Sequence, residues 1–299
     1  MLAPGAVIFL AALAWSGVLA PPTFEGLPTT PLLTLILVPT LRLLMFATGA
    51  FALGAAVVGG MLIRDATLLR RGGVAAVLYA VSSAFLALVT LADVLATTPW
   101  GALRPTMLWS FITQIDEGRY LAAQVVIGFV SAWILRSEQP QVLAAVELLS
   151  ISVVLPGFTG HSAAAVSHWI ASATMIVHLE AVTLWVGGVA ALLLTGDVNA
   201  TKRFSKVALA AYFGLVLSGF ASVYARTSDW SALTHGRYGL VLVAKLVLTV
   251  ALGVLGYRQR QHMVANAPLQ TVRATLTREA GFMAAALAFA VTLARMANP

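Results

Sequence analysis

The stretch from His168 to Thr195, HWIASATMIVHLEAVTLWVGGVAALLLT, decides the fold class. It contains no Lys or Arg and one carboxylate, Glu180. Crossing the hydrocarbon core of a bilayer takes about 20 predominantly apolar residues in helical form. Comparable apolar runs lie at about 3–20, 40–63, 73–96, 119–135, 142–160, 205–225, 238–257 and 280–297. Backbone polar groups in lipid must be satisfied within their own segment, so such runs become helices. The expectation is an all-α, polytopic transmembrane helical bundle of about eight or nine spans.

Composition agrees. The chain has 299 residues, of which 60% are hydrophobic and 10% charged, and its mean hydropathy is +0.92. That leaves too little polar surface to cover a water-soluble globule of this size. The formal charge of +7 comes from basic residues dispersed between apolar runs. There is no basic patch interleaved with aromatics, so nucleic acid is not an expected partner. With no cysteine in the sequence, disulfides, thiolate sites and iron–sulfur clusters are excluded. A soft metal has only Met and His to bind.

The first run ends in Val18-Leu19-Ala20, as a signal peptide might, but it lacks a basic n-region and is followed by Pro21. It is therefore expected to be a retained helix. Residues 97–118 carry Pro99, Trp100, Pro105 and Trp109, which suits a short helix at headgroup level. One alternating set of loops holds eleven Lys and Arg residues (Arg64, Arg70, Arg71, Arg136, Lys202, Arg203, Lys206, Arg258, Arg260, Arg273, Arg278), and the opposite set holds five (Arg104, Arg119, Arg226, Arg237, Arg295). The bias places the N-terminus in the cytoplasm, the C-terminus outside, and residues 161–168 on the extracytoplasmic face. No soluble domain or repeat interrupts residues 1–299, which read as a single integral membrane domain.

Three of the five histidines, His161, His168 and His178, fall on or just before the 168–195 helix, together with Met175 and Glu180. At 100° per residue His168 and Met175 nearly eclipse, and His178 is adjacent to Met175, so the three line one stripe. His161 follows Pro156, Gly157 and Gly160, where a helix breaks and the chain can fold over the mouth of that stripe. Imidazole with thioether suits copper, Met favouring Cu(I). His178 is ten residues beyond His168, about 15 Å along the axis and near mid-bilayer. Glu180 points almost opposite to His178, toward a structural partner such as Lys245. Glu147, Glu180 and Lys245 can alternatively form a charge network that staples helices. Asp93 and Arg42 lie nearer the outer ends of their spans, as snorkelling or gating residues. The competing reading makes His161 and His168 interfacial anchors and Met175 ordinary core packing.

GHSAAAVSHW (160–169) followed by HLEAVTLWVGG (178–188) resembles the copper resistance protein D family, in which a Gly-His turn precedes a helix bearing His-Leu-x-Ala and a Trp-x-Gly-Gly close. RFSKVALAAYFGLVLSG (203–219) and RYGLVLVAKLVL (237–248) are similar to that family's next two helices. The resemblant core covers about residues 140–299, most specifically 156–258. It implies an inner (cytoplasmic) membrane protein, not an enzyme, that moves copper inward from the extracytoplasmic side, with His161, His168 and His178 as carried-over positions and Lys245 as a polar partner. It also implies receipt of copper from a periplasmic or extracytoplasmic carrier. There is no Walker sequence and no P-type phosphorylation sequence, so movement is expected down a gradient or coupled to protons through Glu180 or Glu147. The alternatives are a haem-binding membrane cytochrome, which needs a second deep histidine that His235 and His262 in loops do not supply, and a non-catalytic accessory or assembly subunit. No Ser, His and Asp set or His-Glu-x-x-His sequence suggests an intramembrane hydrolase.

Overall fold

The computed structural model describes residues 28–158, 168–226, 236–264 and 269–293, with Ala11 and Leu19. The described secondary structure is helical throughout. In chain order the helices are α1 (Leu32–Ala55, continued by a π-helical segment Ala56–Leu62), α2 (Ala66–Val94), α3 (Pro105–Gln114), α4 (Asp116–Arg136), α5 (Val142–Val154, ending in a 3-10 turn Leu155–Phe158), α6 (His168–Thr195), α7 (Val198–Arg226), α8 (Gly236–Val264) and α9 (Leu269–Leu293).

Six stretches among the described residues are long and apolar enough to cross a membrane: Leu32–Leu62, Ala66–Val94, Asp116–Arg136, Trp169–Thr195, Val198–Ser222 and Leu242–Gln261. Val142–Phe158 is a shorter apolar helix. This is a polytopic membrane bundle, and its count of described spans is lower than the eight or nine expected. The run at 3–20 lies almost entirely outside the described residues, and 142–160 makes a helix too short to count with the six. The run at 280–297 enters a helix that already begins at Leu269 and leaves the described residues at 293.

The breaks between helices follow local chemistry. Asp65 caps α2 by accepting from the Thr67 and Leu68 backbone N–H groups at 2.8 and 3.1 Å, and Asp197 does the same for α7 from Asn199 and Ala200 at 2.7 and 3.0 Å. Between α6 and α7, Gly196 takes φ +64, a left-handed turn that glycine adopts at no steric cost. Pro105 opens α3, the short helix expected in the 97–118 loop. Trp100 and Trp109 there are 73% and 66% exposed, as an interfacial position requires.

Helix α1 lies at the centre, packed against α2, α5, α6 and α9. Its contact with α6 is a backbone-to-backbone crossing. A Cβ on Gly187 would sit 1.8 Å from the Ala50 carbonyl oxygen, and one on Gly54 would sit 2.0 Å from the Gly187 carbonyl carbon. Lipid tails are as apolar as leucine, so helices in membranes gain by close approach through small residues. Beside this crossing Phe204 of α7 fills the space over Gly188. Around it Val58, Trp185, Leu192, Val272 and Leu276 form one apolar core, while Leu53, Ala76, Leu135 and Leu149 form a second between α1, α2, α4 and α5.

Candidate metal path

Helices α5 and α7 and the turn that closes α5 pack against the half of α6 nearest His168. The 3-10 turn closing α5 packs on it, since a Cβ on Gly157 would stand 3.3 Å from an Ile176 side-chain carbon and 3.6 Å from Met175 Cγ. On another flank α7 runs antiparallel and supplies two hydroxyls. Ser222 Oγ donates to Thr174 Oγ1 at 3.1 Å, and one turn further along Ser218 Oγ lies 3.1 Å from His178 Nδ1. Ser218 also donates to the Leu215 carbonyl at 3.1 Å. A hydroxyl has a single proton, so with that proton directed to Leu215 the oxygen accepts from His178 Nδ1–H. In the neutral imidazole this bond sets the tautomer, protonated at Nδ1 with Nε2 as the acceptor nitrogen, the form in which histidine binds a metal.

Met175 and His178 are both half-buried. They lean to neighbouring flanks of one stripe, Met175 toward the α5 turn and His178 toward α7. His168 begins α6 on the same stripe, but its side chain, all of His161 and the side chain of Lys245 lie outside the described residues. Among the described residues no group of three His, Asp or Glu gathers to hold a metal ion.

Glu180 points away from His178, as the helical spacing requires. Its Oε1 accepts from Ser150 Oγ of α5 at 2.8 Å, and its buried Oε2 has no hydrogen-bond partner among the described residues. Glu147 is exposed on α5. Asp93 is half-buried in the last turn of α2, and Arg42 pairs with Glu117 at the start of α4. These carboxylates sit on different helices and do not converge with His178 on one point.

Two polar groups were not legible beforehand. Tyr79 of α2 bonds Ser152 of α5 at 2.8 Å, and Gln124 of α4 donates to the Ser152 carbonyl at 3.0 Å. Trp185 Nε1–H donates to Glu279 Oε1 of α9 at 2.8 Å. Glu279 was hidden by its neighbour Arg278, which makes the segment read as a loop; Ser218 was visible only as the penultimate residue of the 203–219 run.

Comparison with known sequences accounts for most of these helices. The family described as copper resistance protein D matches residues 198–293, covering α7 to α9. The family's N-terminal domain, described as copper resistance protein D-like, matches residues 32–169, from α1 to the start of α6. The chain belongs to the copper resistance protein D family. The match to its N-terminal domain extends the likeness to helices that hydropathy alone had carried. Residues 170–197, which hold Met175, His178, Glu180 and Trp185, fall between the two matched segments. A copper transport protein of Bacillus subtilis (strain 168), CutJ, is 32% identical over 110 residues, which is 33% of this chain and 20% of that protein. The chain thus matches only about a fifth of the length of that relative. No solved structure matches significantly.

Proposed function

We propose that this protein moves copper ions, as Cu(I), inward from the extracytoplasmic side of the inner membrane along the outer half of α6. Copper is captured by His161 and His168 at the mouth, from an extracytoplasmic carrier, and passes by ligand exchange to Met175 and His178. Family membership and the name of the Bacillus relative support copper as the cargo. The observation that carries the reading is the fixing of His178 by Ser218. A histidine ten residues inside an apolar helix, with its tautomer set by a hydroxyl whose own proton is directed to a backbone carbonyl, supports a ligand role over packing. The thioether of Met175, three residues away, adds a soft ligand that favours Cu(I) over Zn, Mg or Ca. The excess of Lys and Arg in the 64–71, 202–206 and 258–278 segments supports a cytoplasmic N-terminus and an extracytoplasmic C-terminus.

The test is copper stoichiometry on detergent-purified protein under reducing conditions, comparing wild type with a His161→Ala, His168→Ala, His178→Ala triple variant. Copper bound by wild type and absent from the folded variant supports the reading. Equal binding by both, or none by either, overturns it.

A further inference from the structure

The face of α6 that carries Met175 and His178 continues to Trp185. This residue is seven positions beyond His178, about 10 Å further along the axis and within about 20° of it around the helix. Here the stripe meets Glu279, whose Oε1 accepts from the indole N–H at 2.8 Å. Trp185 and Glu279 are each 3% exposed. Tyr212 of α7 lies edge-on to the indole at 5.5 Å, and Val272, Leu276 and Met283 pack around the pair.

An indole needs only an acceptor, and a neutral amide would serve. An ionisable carboxyl buried in a membrane bundle is far more costly than a neutral acceptor, and by default marks a functional site. The helices around it supply little charge. Arg42 is the only ionisable residue of α1 and is paired with Glu117. On α6 the ionisable residues are His168, His178 and Glu180, and Glu180 faces Ser150. Lys202, Arg203 and Lys206 of α7, Arg258 and Arg260 of α8, and Arg273 and Arg278 of α9 itself are exposed. The side chains of Arg226 on α7 and of Arg237, Lys245 and His262 on α8 are outside the described residues. Among the described residues Glu279 has no ion-pair partner.

A carboxylate is a hard ligand and a poor one for Cu(I), so Glu279 is not simply the next copper ligand. It can offer a proton. We propose that Glu279 is the inward counter-charge of the path: it holds a proton while the path is empty and releases it as a Cu(I) ion moves in from His178. One positive charge enters as one leaves, no electron is transferred, and the buried charge stays balanced. This rests on the copper reading above.

The experiment uses full-length protein in proteoliposomes, with Cu(I) supplied under reducing conditions, copper uptake read by metal analysis and proton release by a pH-sensitive dye. Wild type is expected to release about one proton per copper, as charge balance requires. Glu279→Gln keeps an acceptor for the indole and is expected to hold its melting temperature while its proton release falls to background and its uptake slows. Glu279→Asp is expected to restore part of the release. Copper uptake by wild type without proton release, or release by E279Q equal to wild type, overturns the proposal alone. Absence of copper uptake by wild type overturns the copper reading with it. If E279Q does not fold, the wild-type ratio and the E279D variant decide.

Discussion

Replacing Gly187 by alanine tests whether the crossing of α1 and α6 is as tight as described. The new Cβ would stand 1.8 Å from the Ala50 carbonyl oxygen and 2.6 Å from its carbon, and real Cβ atoms essentially never approach closer than 3.0 Å. The obstacle is main chain, so no rotamer change relieves it. The two helices must separate by more than about 1 Å, which strips dispersion contacts from both sides of the crossing. Overpacking of a well-packed core usually costs about 1–3 kcal/mol, and with backbone as the obstacle the upper end is expected, about 3 kcal/mol. Gly188→Ala meets the tip of the Phe204 ring at 1.9 Å; the ring can turn aside, so its cost should be smaller. Gly256 and Gly281 have nothing within 4 Å of an added Cβ. Alanine there should stabilise by up to about 1 kcal/mol through helix propensity. Thermal or denaturant unfolding in detergent, with the four variants side by side, gives the order: G187A least stable, G188A next, G256A and G281A at or above wild type. G187A as stable as G256A would show that α1 and α6 do not cross here.

Three further outcomes are expected. Ser218→Ala, which removes the acceptor for His178 Nδ1–H, should weaken copper binding roughly tenfold with little loss of stability, as for other outer partners of metal-binding histidines; competition with a Cu(I) chelator measures it. Tyr79→Phe should lower unfolding stability by about 1 kcal/mol, the net worth of a typical neutral hydrogen bond, without changing copper stoichiometry. Glu117→Gln, which breaks the pair with Arg42, should cost no more than about 1 kcal/mol and show a smaller effect at high salt, because the partners' side chains are 31% and 38% exposed.

Hydropathy made the helices legible, because in lipid a long apolar run has one main structural outcome. It was least informative at the margins. Arg273, Arg278 and Glu279 made the start of α9 read as a cytoplasmic loop, yet the helix begins at Leu269 and buries Glu279 between apolar neighbours. The break at Pro156-Gly157 was legible from residue type, as was the divergence of His178 and Glu180, which follows from their spacing alone. The partners of those two residues were not. Serine is common in membrane helices, so neither Ser218 nor Ser150 stands out until folding brings it within 3.1 Å of His178 or 2.8 Å of Glu180. The glycines of Trp185-Val186-Gly187-Gly188 proved to be contact residues, the plain reading of small residues in a membrane helix.

The glycine crossing divides α6 into two mechanical parts. Toward Thr195 the helix is clamped, main chain on main chain, with Phe204 wedged beside it. Toward His168 its ties to neighbouring helices include hydroxyl bonds at Thr174, His178 and Glu180, and the turn closing α5 packs on it. For any tilt of α6 about that clamp, Gly187 would be the pivot and the outer helix a lever about 14 Å long from it to His178. A tilt of 10° sweeps the imidazole through about 2 Å at that radius, enough to trade one partner for another while the clamped end stays in place.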